Sequence, residues 1–241
     1  MKTIAIIQAR MGSTRLPGKV LMELCGQPML YHIIERVKQV GQIDKILVAT
    51  SENQEDDSIN AYVESVGIEC FRGSAENVLD RYWGAAQAVH AGQDDTIVRL
   101  TADNPLVDAG ILSKLLTYFA QCGYPYAFTS GFPLGSGGEV FSFYALKEAY
   151  ENAVQPYEKE HVTPYMYREG RAVGKLTSRI DRSHFRFTVD TPEDFKFVEK
   201  VYHSLYHGTH DFSLDDIIEL LEEKPEIIMI NSHVRQKEAR E

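Results

Sequence analysis

The sequence predicts an α/β protein, a doubly wound, mostly parallel (mixed) sheet with an inserted segment. Short Val/Ile-rich runs alternate with amphipathic stretches of helical period as far as Thr129. Those runs are apolar on both faces, as strands covered by helices on each side must be. At 241 residues the chain suits one such domain with a sizeable excursion.

Each element follows from its own pattern. Strands are expected at Thr3–Gln8, Lys45–Thr50, Ile68–Phe71, Thr96–Thr101 and Tyr126–Thr129. Helices are expected at Met29–Gln39, Glu55–Val66, Glu76–Ala91 and Ala109–Gln121. Pro28 suits a first helical turn, and Ser51 to Gln54 offer polar capping before the second helix. The alternation implies right-handed crossovers. After Thr129 the rhythm changes. A glycine-rich loop, residues 131–138, leads into a strand–helix piece at Glu139–Ala153. PYEKEHVTPYMYREG reads as helix interrupted or started near Pro164, followed by strand candidates at Val173–Thr177 and Phe185–Val189. We read 131–185 as an insertion serving as lid, acceptor pocket or dimer contact, within a single domain spanning 1–241. Helices at Pro192–Tyr206 and Ser213–Glu223 follow, the second with a capping-box variant in Ser213 and Asp216. The polar tail, 231–241, is expected to fray.

Bulk composition narrows the class. The net charge of −10 disfavours nucleic acid or an anionic membrane as partner, since both select basic surfaces. No apolar run reaches the about 20 residues of a membrane span. MKTIAIIQAR enters a strand directly, unlike a signal peptide, so a cytoplasmic protein is expected. Cys25, Cys70 and Cys122, widely spaced and odd in number, read as reduced thiols.

The most informative stretch follows the first strand. Arg10, Gly12, Ser13, Arg15, Gly18 and Lys19 combine close backbone approach with three cations, a polyphosphate-binding combination. Five residues separate Gly12 from Gly18 and Val20 replaces the hydroxyl residue, so this is not a P-loop. A merely basic βα turn is the alternative. Ligands of open α/β sheets bind beyond the strands' carboxyl ends. There LTADNPL places Asp103 opposite the basic loop, and FTVDTPEDF places Asp190 at a second predicted strand end. Mg²⁺ takes one or two carboxylates plus phosphate oxygens and water. Helix N-capping is the other role open to each aspartate, and neither has a basic residue adjacent in sequence.

QARMGSTRLPGK, LTADNP and VDTPEDF together resemble the acidic-sugar cytidylyltransferase family, the CMP-sugar synthetases that include 3-deoxy-manno-octulosonate cytidylyltransferase. Within it the chain is similar to the spore-coat polysaccharide biosynthesis protein F group, with ATSENQEDD, FRGSAENVLDRYWGAA, EVFSFYALKEA and KEHVTPYMY as further matches. The resemblance implies a nucleotidyltransferase-type sheet, CTP as donor, a small acidic acceptor, Mg²⁺ and a homodimer. It assigns the nucleotide to Arg10, Ser13, Arg15 and Lys19 with backbone donors from Met11 and Gly12, and the metal to Asp103 and Asp190. Two departures stand out: Ala102-Asp103-Asn104-Pro105 replaces GDEP, and Gly135-Ser136-Gly137-Gly138 lacks the acidic residue usual before EVFSF. The second leaves the acceptor unassigned.

The implied chemistry is in-line attack of an acceptor oxygen on the α-phosphorus, with pyrophosphate leaving in a surface-polysaccharide pathway. Lys19, Arg15 and Asp103 would act on the reacting phosphates, with Arg10 on the α-phosphate. Asn77 and Arg81 read either as base or ribose contacts, which the resemblance favours, or as a polar helix stripe. His161 is a surface histidine by default and an acceptor-pocket residue by alternative. His203, His207 and His210 mimic a metal spacing, but Gly208 is expected to end the helix between them. The competing functions are a nucleotide-sugar glycosyltransferase, though Asp103 is not part of a DxD pair, and a catalytically silent binding protein.

Overall fold

The computed structural model describes residues 1–236, and the first strand shows how they are layered. In β1 (Thr3–Gln8), Ile4 and Ile6 enter one apolar core and Ala5 and Ile7 another. A hairpin follows, β2 (Glu23–Leu24) with β3 (Gln27–Pro28), turning through Cys25 and Gly26 at φ 49° and 80°. Two positive φ values define the two-residue turn that matches strand twist. Sequence periodicity gave no sign of it, because two-residue strands have none. Next come α1 (Met29–Lys38), β4 (Lys45–Ser51), α2 (Asp57–Ser65), β5 (Glu69–Gly73), α3 (Val78–Ala88), β6 (Thr96–Thr101), α4 (Ala109–Cys122) and β7 (Tyr126–Ser130). These match the expected alternation, with ends moved by a few residues.

The later half adds β8 (Glu139–Ser142), α5 (Phe143–Asn152), the short helices α6 (Pro156–His161) and α7 (Pro164–Tyr167), and β9 (Gly174–Thr177). It ends in α8 (Pro192–Leu205), α9 (Leu214–Glu223) and a 3₁₀ turn at Pro225–Ile230. The sheet order is β5-β4-β1-β6-β8-β7-β9. β5, β4, β1 and β6 are parallel, β8 runs antiparallel to both β6 and β7, and β9 is parallel to β7. Residues 131–185 therefore contribute two strands, β8 and β9, to the main sheet. Helices α3 and α5 cover one face of the sheet, α1, α2 and α4 the other, while α8 and α9 enclose a third core with Phe187 and Val189. Among the described residues no helix is long and apolar enough to cross a membrane. The cysteines are free thiols.

Two expectations need correction. Phe185–Val189 is extended but not a strand of the sheet: it makes one bridge, Leu134 to Arg186. Its neighbour is an irregular loop in which Pro133 lacks an N–H, so no ladder propagates. The segment instead donates from the Val189 N–H to the Asp103 carbonyl at 2.8 Å, which stitches two loops together. The tail is not uniformly frayed either. Asn231 is buried, with its amide 2.9 Å from the Arg186 carbonyl and 3.0 Å from Asp194 Oδ1. The end of that tail, 237–241, lies outside the described residues.

The sheet topology fixes where a site can form. β1 has β4 on one side and β6 on the other, so the chain reverses direction across the sheet there. The loops leaving β1 and β6 diverge around a crevice, where open α/β sheets place their ligands.

Candidate active site

Lys19 stands at the centre of that crevice. Gly18, at φ 72°, turns the loop into a short 3₁₀ helix at Lys19–Leu21 that carries the lysine inward. The buried ammonium lies 2.6 Å from the Val189 carbonyl, 2.9 Å from Asp190 Oδ1 and 3.3 Å from Asp103 Oδ2. Asp190 Oδ2 accepts from Arg15 at 3.0 Å and from Arg186 at 2.6 Å. Burial alone would raise the Asp190 carboxyl, but its ion pairs with Lys19, Arg15 and Arg186 hold it below the usual carboxylate range. Arg186 stands four residues before Asp190, so Asp190 does have a basic partner close in sequence. Asp103 is oriented by the Thr101 hydroxyl, which accepts in turn from Asn104 at 2.8 Å.

Neither aspartate caps a helix. Thr191 caps α8, in a capping box with Asp194, and Asp108 caps α4. Both carboxylates are thus left for the crevice. Their oxygens form the hard donor set that a divalent cation such as Mg²⁺ prefers, and Asp103 and Asp190 already share one cation, Lys19. Among the described residues no three His, Cys, Asp or Glu side chains gather in a metal-binding group. A metal here would draw its remaining ligands from phosphate and water, as Mg²⁺ typically does.

The crevice opens into a cleft of about 700 Å³ lined by Arg10, Ser13, Arg15, Lys19, Asp103, Asp190, Glu160 and His161. That volume suits a small ligand. A second hollow of about 490 Å³ adjoins it, bounded by Gly12, Ser51, Asn53, Glu55, Glu76 and Val78, with Arg10 and Glu160 common to both. A side chain at position 12 would meet Glu55 Oε1 at 2.7 Å, so it would displace the tip of that exposed glutamate. His161 is held by an unusual backbone turn. The Thr163 N–H bonds the His161 carbonyl at 2.8 Å around Val162, at φ 69° and ψ −55°, a strained γ-turn.

Three expected nucleotide contacts have other occupations. The Met11 N–H donates to Asp56 Oδ1 at 2.6 Å. The Asn77 side chain caps α3, accepting from the Asp80 N–H at 3.0 Å. Arg81 is buried and donates to the Ser74 carbonyl at 2.8 Å. Asn77→Ala is accordingly expected to lower stability by about 1 kcal/mol and to leave unchanged the affinity for CTP, the donor that the sequence resemblance implies. Denaturant titration with CTP calorimetry checks this, and a tenfold weaker titration would restore Asn77 to the nucleotide. Of the spaced histidines, His210 turns inward to His32 at 2.8 Å, while His203 and His207 are exposed.

The comparison with known proteins now decides the family. A family model described as cytidylyltransferase matches residues 4–227. The chain belongs to the cytidylyltransferase family. A solved cytidylyltransferase from Leptospira borgpetersenii is 31% identical, covers 99% of both chains and superposes with a TM-score of 0.87. The spore coat polysaccharide biosynthesis protein SpsF of Bacillus subtilis is 34% identical over 92% of this chain and 94% of its own. CMP:2-keto-3-deoxy-manno-octonic acid synthetase, solved as a complex with CTP, shares the fold at 19% identity and a TM-score of 0.65, covering 85% of this chain and 99% of its own. This cytidylyltransferase is a nucleotidyltransferase enzyme, and its sheet is the one expected for that class.

Sequence reasoning missed two features of the cytidylyltransferase cleft. Arg99 lies in its floor, paired with Glu139, which also accepts from Tyr126 at 2.5 Å and Thr163 at 2.8 Å. Burial opposes the Arg99 charge, but the Glu139 carboxylate more than restores it. An arginine inside a Val/Ile-rich central strand was the available signal. The second feature is Arg186 with Asp194, which pair from an irregular segment into the first turn of α8, so no periodicity within one element joins them.

Proposed function

We propose that this cytidylyltransferase transfers CMP from CTP to an oxygen of a small acidic sugar or related acidic metabolite, releasing pyrophosphate, in surface-polysaccharide biosynthesis. One observation carries the reading: Arg15, Lys19, Asp103 and Asp190 converge on one cleft wall, with both aspartates free of helix-capping duty.

The base and ribose fit the second hollow, and the triphosphate reaches past Arg10 to Arg15 and Lys19. Negative charge spreads over the phosphoryl oxygens in the transition state, so prepositioned cations supply most of the catalysis. Lys19 and Arg15 stabilise the departing pyrophosphate, and Arg10 steadies the α-phosphate. Ser13 borders the same cleft, and Gly12 borders the second hollow. Asp103 and Asp190 would hold Mg²⁺, which when bound supplies charge neutralisation at the phosphates. His161 borders the cleft at the end of α6, which supports a role for it in holding the acceptor. The acceptor's oxygen forms the new bond to the α-phosphorus as the bridge to the β-phosphate breaks.

The test is pyrophosphate release from CTP with a panel of ulosonic and small phosphorylated or phosphonate acids. Release is expected with CTP and one class of acid; faster release from ATP or GTP would overturn the cytidylyl assignment. The same reading includes a homodimer through Glu139–Tyr167. Tyr144, Tyr150, Val154 and Tyr167 expose 56%, 41%, 73% and 44% of their surface there, an apolar and aromatic composition typical of interface cores. Light scattering at micromolar concentration is expected to give twice the chain mass, and a monomer mass would refute the dimer.

A further inference from the structure

The three cations on Asp190 are held in two different ways. Arg15, on the loop after β1, keeps 30% of its side chain exposed, and Lys19 divides itself between two carboxylates. Both border the cleft, so both are the groups an incoming triphosphate recruits. Arg186 cannot follow them. Its Nε lies 2.8 Å from Asp194 Oδ1 and its Nη2 3.1 Å from Asp194 Oδ2, while the same Nη2 reaches Asp190 at 2.6 Å. Asp194 is fully buried and also accepts from the backbone N–H groups of Asp190 and Thr191, at 2.9 and 3.0 Å. Nη1, the remaining nitrogen, donates to Gln236 Oε1. Gln236 lines the cleft and arrives on the segment anchored by Asn231.

We propose that Arg186 is a positioning residue that keeps Asp190 aimed into the cleft once Lys19 and Arg15 have turned to the nucleotide, and that Gln236 locks Arg186 in place. A planar guanidinium with every nitrogen committed holds a carboxylate in one orientation, which a lone ammonium does not. An aspartate with no fixed partner, deserted by its two mobile cations, would swing away from the crevice. The C-terminal segment thereby becomes part of the catalytic wall. This inference rests on the cytidylyl-transfer reading of the cleft.

The test compares the full-length protein with Gln236→Ala and Arg186→Lys. Partners that orient a metal-holding carboxylate typically cost about 10–100-fold in metal affinity or activity when removed. Both variants are therefore expected to lose about tenfold or more of the gain in CTP affinity that Mg²⁺ confers over EDTA, read by calorimetry. CTP affinity in EDTA should stay the same. Where an acid acceptor is turned over, half-maximal rate should need more Mg²⁺, and raising Mg²⁺ should restore the KM for CTP. Hydrogen exchange of the 231–236 amides should also quicken in both variants. An unchanged Mg²⁺ gain in Gln236→Ala, even with a lower Tm, would overturn the proposal and leave Gln236 a structural tie. If Arg186→Lys does not fold, Gln236→Ala decides alone. A wild-type protein that gains CTP affinity with Mg²⁺ yet turns over no acid would sink the function reading and leave this one standing.

Discussion

Lys19→Met is expected to slow pyrophosphate release by about 10²–10³-fold, or about 2.7–4 kcal/mol of transition-state stabilisation, the scale of one preorganised donor removed from developing charge. The ammonium lies on the cleft wall against three oxygens at 2.6–3.3 Å, beside the space an arriving phosphate would occupy. The substitution also removes the charge between Asp103 and Asp190, but Arg15 and Arg186 remain on Asp190, so the fold should survive. Lys19→Arg should recover only part of the rate, because a planar fork does not fit a gap shaped for a point donor. Single-turnover release at saturating CTP measures the effect, with a melting curve alongside. An unchanged rate would reduce Lys19 to a tie between the first loop and Val189.

Asp103→Asn and Asp190→Asn are each expected to lower turnover by at least about 100-fold, and the double variant hardly further, because residues acting as one unit fail together. Asparagine keeps the volume and an acceptor for the Thr101 hydroxyl, so Asp103→Asn should fold normally. Asp190→Asn should cost more stability, since Lys19, Arg15 and Arg186 would then face one another with less negative charge between them. Mg²⁺ titration separates the roles. Either single variant should need far more Mg²⁺ for half-maximal rate. A lower Tm with an unaltered Mg²⁺ requirement would make Asp190 only the anchor of three cations.

The legible parts of this molecule were those whose signal is local. The two-faced apolar runs of β1, β4 and β6 lie in one stretch of chain each, and so does the basic loop after β1. Asp103 was legible as a carboxylate at a strand end, and Asp190 as a second one just before a helix, although the strand expected to carry it is absent. What joins them, the backbone bond from Val189 to Asp103, couples residues 86 positions apart and leaves no pattern in either segment. The direction of β8 was hidden for a related reason: period-two alternation reports which side chains face the core, not which way a strand runs. The tail misled because composition describes average exposure. Asn231 looks like a solvent residue in NSHVRQ until Arg186 and Asp194 appear beside it.

The cleft draws its wall from distant parts of the chain, and that has a consequence for how the enzyme comes into being. A polypeptide growing from its N-terminus has β1, β4 and β6 once Thr101 has emerged, enough for the parallel half of the sheet to pair. Lys19 must wait for a partner 171 positions later, and Arg186 for Gln236, 50 positions after itself. Nascent chains that have not reached Asp190 therefore carry the sheet's parallel half and the basic loop without the carboxylate that pairs with Lys19. The parallel half of the sheet is thus the part of the molecule that can form early, and the carboxylate wall the part that forms late.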